Sequence, residues 1–83
     1  MYRKLYYEFL ITPRHGYLIV PFDIVMQDIQ KGIRYTDYSA VVGNRVYLEE
    51  DQDATTYLDA HNIDVDDIPR RYGNEKLWRN PLG

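Results

Sequence analysis

Four carboxylates follow one another closely in the middle of the chain and are the first candidates for chemistry: Glu49, Glu50, Asp51 and Asp53. Such a group could hold a divalent cation or supply a general acid and base. A calcium-binding EF-hand loop needs a glycine at its sixth position, but counting from Glu49 or Asp51 places Ala54 or Thr56 there. The sequence therefore predicts no metal site and indicates acids that face solvent or cap a helix, with Asp51 or Asp53 as the candidate N-cap.

The other residue types that perform catalysis are scattered along the chain. His15 lies in a turn and His61 at the end of a predicted helix, neither has a second histidine nearby, and there is no cysteine. We expect His61 to interact with the last carbonyls of its helix. Ser39 lacks the glycine context of a hydrolase nucleophile, and no glycine-rich phosphate loop is present. The sequence therefore predicts a protein that is not an enzyme and needs no cofactor.

Charge is distributed unevenly. Between Arg45 and Arg70 the chain has eight acids and no lysine or arginine. A plain solvated face would explain this, but such acids could also present phosphate-like charge to a basic groove of a partner protein. Tyr47 alternates away from its neighbours in a predicted strand and could add apolar contact. The candidate partner-binding residues are Glu49, Glu50, Asp51, Asp59, Asp66, Asp67 and Tyr47.

The last part of the chain interleaves basic and aromatic residues. They are Arg70, Arg71, Lys76, Trp78 and Arg79. Such a segment could grip a nucleic-acid backbone and stack on bases. It could equally pair with the acidic middle or remain solvated, because the net charge of the chain is −3 and no recognised nucleic-acid-binding fold is indicated.

The elements that would position these residues follow from periodicity. Alternating residues predict strands over 2–11 and 17–20, and apolar residues recur at helical spacing from Phe22 to Ile29. Gly43-Asn44 separates two apolar runs, as in a hairpin, and a second helix is predicted over about 53–61. In the core we expect Leu48 to pack with Phe9, Val46, Ile29 and Leu58.

The order hairpin–helix therefore occurs twice. This predicts an α+β fold of two layers, with an antiparallel sheet of about four strands covered on one face by two helices. We assign residues 1–68 to a single domain and residues 69–83 to an extended, basic C-terminal tail. No apolar run approaches the length of a membrane span, and no signal peptide is indicated.

Three short stretches also form a pattern. They are a His-Gly turn followed by a Val-Pro helix start within 15–21, Tyr38-Ser39, and a Tyr-Leu-Glu-Glu-Asp run into a helix within 46–54. This pattern resembles that of small uncharacterised proteins found on bacterial genomes, plasmids and phages. The resemblance covers residues 5–60 and implies no site residue. It implies a mobile-element origin, which favours an antagonist of host defence.

The sequence and this resemblance together predict a small phage or plasmid protein that binds and inhibits a host defence complex through its acidic surface. The expected partner is a defence protein or protein–nucleic-acid complex, such as a CRISPR effector or a restriction enzyme, in the cytoplasm of the bacterial host. The alternative is a nucleic-acid-associated regulator that uses the basic tail. A third possibility is an assembly module that adds a strand to a partner, and a homodimer is left open.

Overall fold

A computed structural model describes residues 7–36 and 39–73. In chain order the elements are β1 (Glu8–Ile11), β2 (Gly16–Pro21), α1 (Phe22–Gln30), β3 (Ala40–Val42), β4 (Arg45–Glu49), α2 (Asp53–His61), a 3-10 helix (Val65–Asp67) and β5 (Arg70–Tyr72). The predicted α+β class is confirmed, and both predicted helices are present.

The five strands form one mixed sheet in the order β3-β4-β2-β1-β5. The pairings β1–β2, β2–β4 and β3–β4 are antiparallel, as expected, whereas β5 runs parallel to β1. The strand count was one too low because β5 has only three residues, two of them arginine, and so shows no alternating apolar pattern. The sheet therefore extends past residue 68 into the segment assigned to the tail.

The core lies between the helices and one face of the sheet. Leu18 pairs with Leu48 and Val20 with Val46, so these four side chains point to the same face, and all are at most 1% exposed. Val25 of α1 and Ala54 and Tyr57 of α2 join them, with Ile68 closing one end of the cluster. Burial of this apolar surface is the main force that holds the two layers together.

The predicted contacts of Leu48 are largely correct. Val46 is in the same cluster, and Phe9 and Leu58 pack against it. Ile29 is the exception, since it is 39% exposed. On α1 the inward positions are Val25 and Asp28, and this arrangement turns Ile29 toward solvent.

A residue in the left-handed conformation stands at the C-terminal end of each of the two α-helices. Gly32 (φ 97°) follows α1, and the Ile33 N–H donates to the Asp28 carbonyl at 3.0 Å. Asn62 (φ 52°) ends α2 in the same way, where the Ile63 N–H donates to the Leu58 carbonyl. Glycine and asparagine tolerate this conformation better than other residues do, which suits them to these two helix ends. No helix in the described ranges is long and apolar enough to cross a membrane.

Candidate functional site

Asp53, the first residue of α2, is completely buried. Its carboxylate accepts hydrogen bonds from the Thr36 N–H at 2.9 Å, from the Thr36 hydroxyl at 2.8 Å and from the Ser39 hydroxyl at 2.5 Å. Thr36 and Ser39 belong to the connection between α1 and β3. A buried carboxylate with three donors is well satisfied, so Asp53 fixes this connection to the start of α2.

The prediction that Asp51 or Asp53 is the N-cap of α2 is therefore wrong. The N-cap position is Gln52, whose side chain makes no capping hydrogen bond. Asp53 lies one residue later and directs its carboxylate away from its own helix, toward donors that are 14 and 17 positions earlier in the chain. Thr36 and Ser39, which are distant in sequence, thus occupy the Asp53 carboxylate that the local sequence pattern assigned to a helix cap.

Ser39 extends this network into the sheet. Its hydroxyl donates to Asp53 and accepts a hydrogen bond from the Glu49 N–H, at the end of β4, at 3.0 Å. A hydroxyl can donate once and accept twice, so both roles are compatible. The start of α2, the connection after α1 and the end of β4 are thus joined through one buried hydroxyl.

A second buried carboxylate, Asp28, joins the two helices. The same oxygen of Asp28 accepts a hydrogen bond from the Tyr35 hydroxyl at 2.8 Å and lies 2.8 Å from Nε2 of His61. The His61 side chain is 27% exposed, and its ring lies against the Tyr57 ring at a centroid distance of 4.2 Å. His61, expected to interact with the last carbonyls of α2, instead bridges α2 to α1.

This contact places constraints on proton positions. With Nε2 protonated, His61 donates a hydrogen bond to the Asp28 carboxylate. The tautomer is inferred from that bond. An imidazole held by an aspartate also occurs in hydrolases, where the imidazole activates a hydroxyl nucleophile. The nearby hydroxyls are the phenols of Tyr35 and Tyr57. Tyr35 donates a hydrogen bond to Asp28 itself.

Both phenols are held in their neutral form. Burial raises the pKa of Tyr35 well above its usual range, and its hydrogen bond to Asp28 raises it further. Burial likewise raises the pKa of Tyr57, reinforced by a hydrogen bond to the Tyr7 hydroxyl. Within the described residues, the hydrogen bonds that Asp28 makes with Tyr35 and His61 therefore hold together α1, α2 and the connection that carries Tyr35.

The raised tyrosine pKa values predict alkaline sensitivity. Both phenols remain protonated in the folded protein while they ionise in the unfolded chain above about pH 10, so the folded state loses stability as the pH rises past that value. Each such phenol contributes a slope of up to about 1.4 kcal/mol per pH unit. Urea unfolding measured at steps between about pH 9 and pH 11 should show this decline. Tyr57→Phe should reduce the slope by one proton, and an unchanged slope would contradict a neutral, buried Tyr57.

The predicted acidic residues occupy three places. Glu50 and Asp51 are exposed in the turn before α2, Asp59 is exposed on α2, and Asp66 and Asp67 are exposed in the 3-10 helix. A helix of nine residues is roughly 13 Å long, so the first pair and the last pair lie toward opposite ends of α2. These five exposed acids precede, occupy or follow α2 in the chain and are called the acidic surface below.

Two of the predicted partner-binding residues lie elsewhere. Tyr47 and Glu49 alternate with the core residues of β4 and so point to the face of the sheet that the helices do not cover. There Tyr47 is half-buried beside Tyr17, with ring centroids 6.4 Å apart. The Glu49 side chain is only 13% exposed, and burial raises its pKa. Tyr47 and Glu49 therefore lie on the other face of the sheet from α2, which carries Asp59.

The basic residues are divided as well. Arg70 and Arg71 form part of β5, and Arg71 makes an ion pair with Glu8 of β1. Lys76, Trp78 and Arg79 lie outside the described residues. The positions 37–38, which include the tyrosine of the Tyr38-Ser39 motif, also lie outside them.

Sequence reasoning missed Asp28, Tyr35 and Thr36. A signal for Asp28 was available, since it lies three residues after Val25, on the side of α1 that faces the core. A charged residue at such a position needs buried partners, and the only way to anticipate them was to search for donors in the adjoining connection.

Among the described residues, no three histidine, aspartate or glutamate side chains are grouped as metal ligands would be.

Comparison of the chain with protein-family models, with curated proteins and with solved structures found no match.

Proposed function

We propose that this chain is a small binding protein, without enzymatic activity, whose acidic surface docks on a basic groove of a partner protein. The observation that carries the proposal is the distribution of charge around α2. Glu50, Asp51, Asp59, Asp66 and Asp67 are all exposed, and no lysine or arginine occurs between Arg45 and Arg70. A surface of one sign attracts a partner of the opposite sign and raises the association rate.

Buried polar contacts hold α2 in place. Asp53, at its first residue, is bonded to the connection after α1, and His61, at its last residue, is bonded to Asp28. Both ends of the helix that carries Asp59 are therefore fixed by buried polar contacts. A surface held rigid before binding loses less conformational entropy when it docks.

The partner class follows from the chemistry of the surface and from the sequence resemblance. Spaced carboxylates on a rigid helix offer negative charge to grooves that normally hold a nucleic-acid backbone. The resemblance to small phage and plasmid proteins suggests that such a groove belongs to a host defence complex of the CRISPR or restriction type. In this proposal the chain acts in the bacterial cytoplasm as an anti-CRISPR or anti-restriction inhibitor.

The test reverses charge on the acidic surface. The partner is first captured from a bacterial lysate with the parent chain. The triple variant Asp59→Lys, Asp66→Lys, Asp67→Lys should then associate with it more slowly. Its on-rate should also depend less on salt, since steering by exposed charges is screened by salt. Association kinetics at two ionic strengths measure both effects. Asp23→Lys is the matched control, because Asp23 is also exposed but lies in the first turn of α1.

The outcomes separate the candidate functions. If the triple variant binds as well as the parent while Asp23→Lys behaves the same, docking through the acidic surface is excluded. If capture from a bacterial lysate yields DNA or RNA and the triple variant binds it more tightly, the regulator that uses basic residues becomes the better candidate. Arg71 is already engaged by Glu8, which leaves Arg70 as the exposed cation of β5 without an ion-pair partner among the described residues.

A further inference from the structure

β5 forms one edge of the sheet, and its outward backbone groups can be identified. The Phe9 N–H donates to the Pro69 carbonyl at 2.8 Å, and the Gly73 N–H donates to the Ile11 carbonyl at 3.0 Å. In a parallel pair the residues that bond to the neighbouring strand alternate, so residues 69, 71 and 73 turn toward β1. The N–H and C=O groups of Arg70 and Tyr72 therefore point away from the sheet.

These four backbone groups have no hydrogen-bond partner within the described part of the chain. Both residues are exposed, and Tyr72 is 73% exposed. An edge strand of this kind can accept a further strand through main-chain hydrogen bonds. The edge carries no proline at these two positions.

The side chains at this edge indicate what the added strand should contain. Arg70 pairs with Phe9 and Tyr72 with Ile11, so Arg70 and Tyr72 project on the same face, two residues apart. Tyr72 also lines an open cleft of about 440 Å³ together with Ile11, Thr12, Pro13 and Gly73. A neighbouring strand would thus meet a cation and, two positions along, the exposed ring of Tyr72.

We propose that the outer edge of β5 accepts an extended segment of a partner protein that carries an acidic residue opposite Arg70 and an apolar residue opposite Tyr72. Cross-strand pairs of opposite charge and of apolar side chains both stabilise a sheet. This contact is distinct from the acidic surface, because it uses the outward backbone groups of β5 and the side chains of Arg70 and Tyr72, whereas Asp67, the nearest of the five acids in sequence, lies in the 3-10 helix.

A second copy of the chain is a poorer occupant than an acidic strand. A two-fold antiparallel pairing of β5 with itself, centred on position 70 or 71, would place two arginines directly opposite each other. Like charges in that position destabilise a strand pair. Charge complementarity therefore favours a foreign acidic segment, and self-association is retained as an outcome of the test.

The probe is a capped octapeptide with threonine at every second position and with glutamate and leucine alternating between them. It is compared with the same peptide carrying lysine in place of glutamate, by amide chemical-shift titration of the full chain. We expect saturable shifts at Arg70 and Tyr72, and binding at least about tenfold tighter for the glutamate peptide. Arg70→Glu should reverse that preference.

Two substitutions at one position isolate the backbone contribution. Both Tyr72→Val and Tyr72→Pro remove the aromatic ring, but only proline removes the outward N–H, which β1 does not use. Tyr72→Pro should weaken binding by at least about tenfold relative to Tyr72→Val, while the urea midpoints show that both variants fold. Equal binding of the two variants, equal binding of the two peptides, or concentration-dependent dimerisation that competes with the peptide would overturn the proposal.

Discussion

We expect Asp53→Ala to lower the free energy of unfolding by about 3–5 kcal/mol. The substitution removes the acceptor of three hydrogen bonds, two from Thr36 and one from the hydroxyl of Ser39, which is 1% exposed. Hydrogen bonds to a charged group stabilise more than neutral ones, and a stranded buried donor adds a desolvation penalty. Urea unfolding followed by circular dichroism measures the loss.

Asp51→Ala is the matched control, because Asp51 is exposed in the turn just before α2. Its effect should stay within about 0.5 kcal/mol, as is usual for surface substitutions. A loss of only about 1 kcal/mol for Asp53→Ala would equal the contribution of an ordinary helix cap and would mean that the carboxylate acts on α2 alone. Restoring part of the stability with Asp53→Asn would show that the shape of the acceptor contributes separately from its charge.

Leu48→Ala should have the second-largest effect, a loss of about 2–4 kcal/mol in the free energy of unfolding. Leu48 is completely buried between the helices and the centre of the sheet, opposite Leu18. Its truncation leaves a cavity that the surrounding side chains fill only in part. For a chain of this length the total stability is on the order of 4–12 kcal/mol, so much of the folded population could be lost.

Val42→Ala provides the comparison for Leu48→Ala. Val42 lies on the edge strand β3 and is 39% exposed, so its truncation should cost far less. Thermal or urea unfolding of both variants gives the difference. A negligible shift for Leu48→Ala would place Leu48 on the other face of β4, because a one-residue change of register exchanges the two faces of a strand.

Periodicity was sufficient to predict the elements that have a clear apolar pattern. The alternation around Val46 and Leu48 identified β4 and its inward face, and the helical spacing from Phe22 identified α1. β5 was missed because Arg70-Arg71-Tyr72 carries no such pattern and is recruited by backbone pairing with β1. Backbone pairing of a short edge strand leaves little trace in side-chain type.

The buried carboxylates show a second limit of prediction from local sequence patterns. Asp53 was recognised as important for its position before an apolar helical stripe, but its partners are 14 and 17 residues away. Asp28 and His61 are 33 residues apart, and each has a common structural role when considered alone. Local patterns identify which residues are polar, whereas their partners depend on how the helices are placed in three dimensions. Tyr47 illustrates the same limit, since alternation gave its face correctly but not the neighbour Tyr17 that half-buries it.

The parallel pairing of β5 with β1 has a consequence for the order in which the chain folds. The Glu8–Arg71 contact joins residues 63 positions apart, whereas β1–β2 and β3–β4 are closed by short turns. Closing a long loop costs more entropy than closing a short one, so we infer that the two hairpins form first and that β5 is added last. During synthesis from the N-terminus, β1 waits for its partner β5 until residues 69–73 have left the ribosome, and in that interval its outer edge can pair with another molecule.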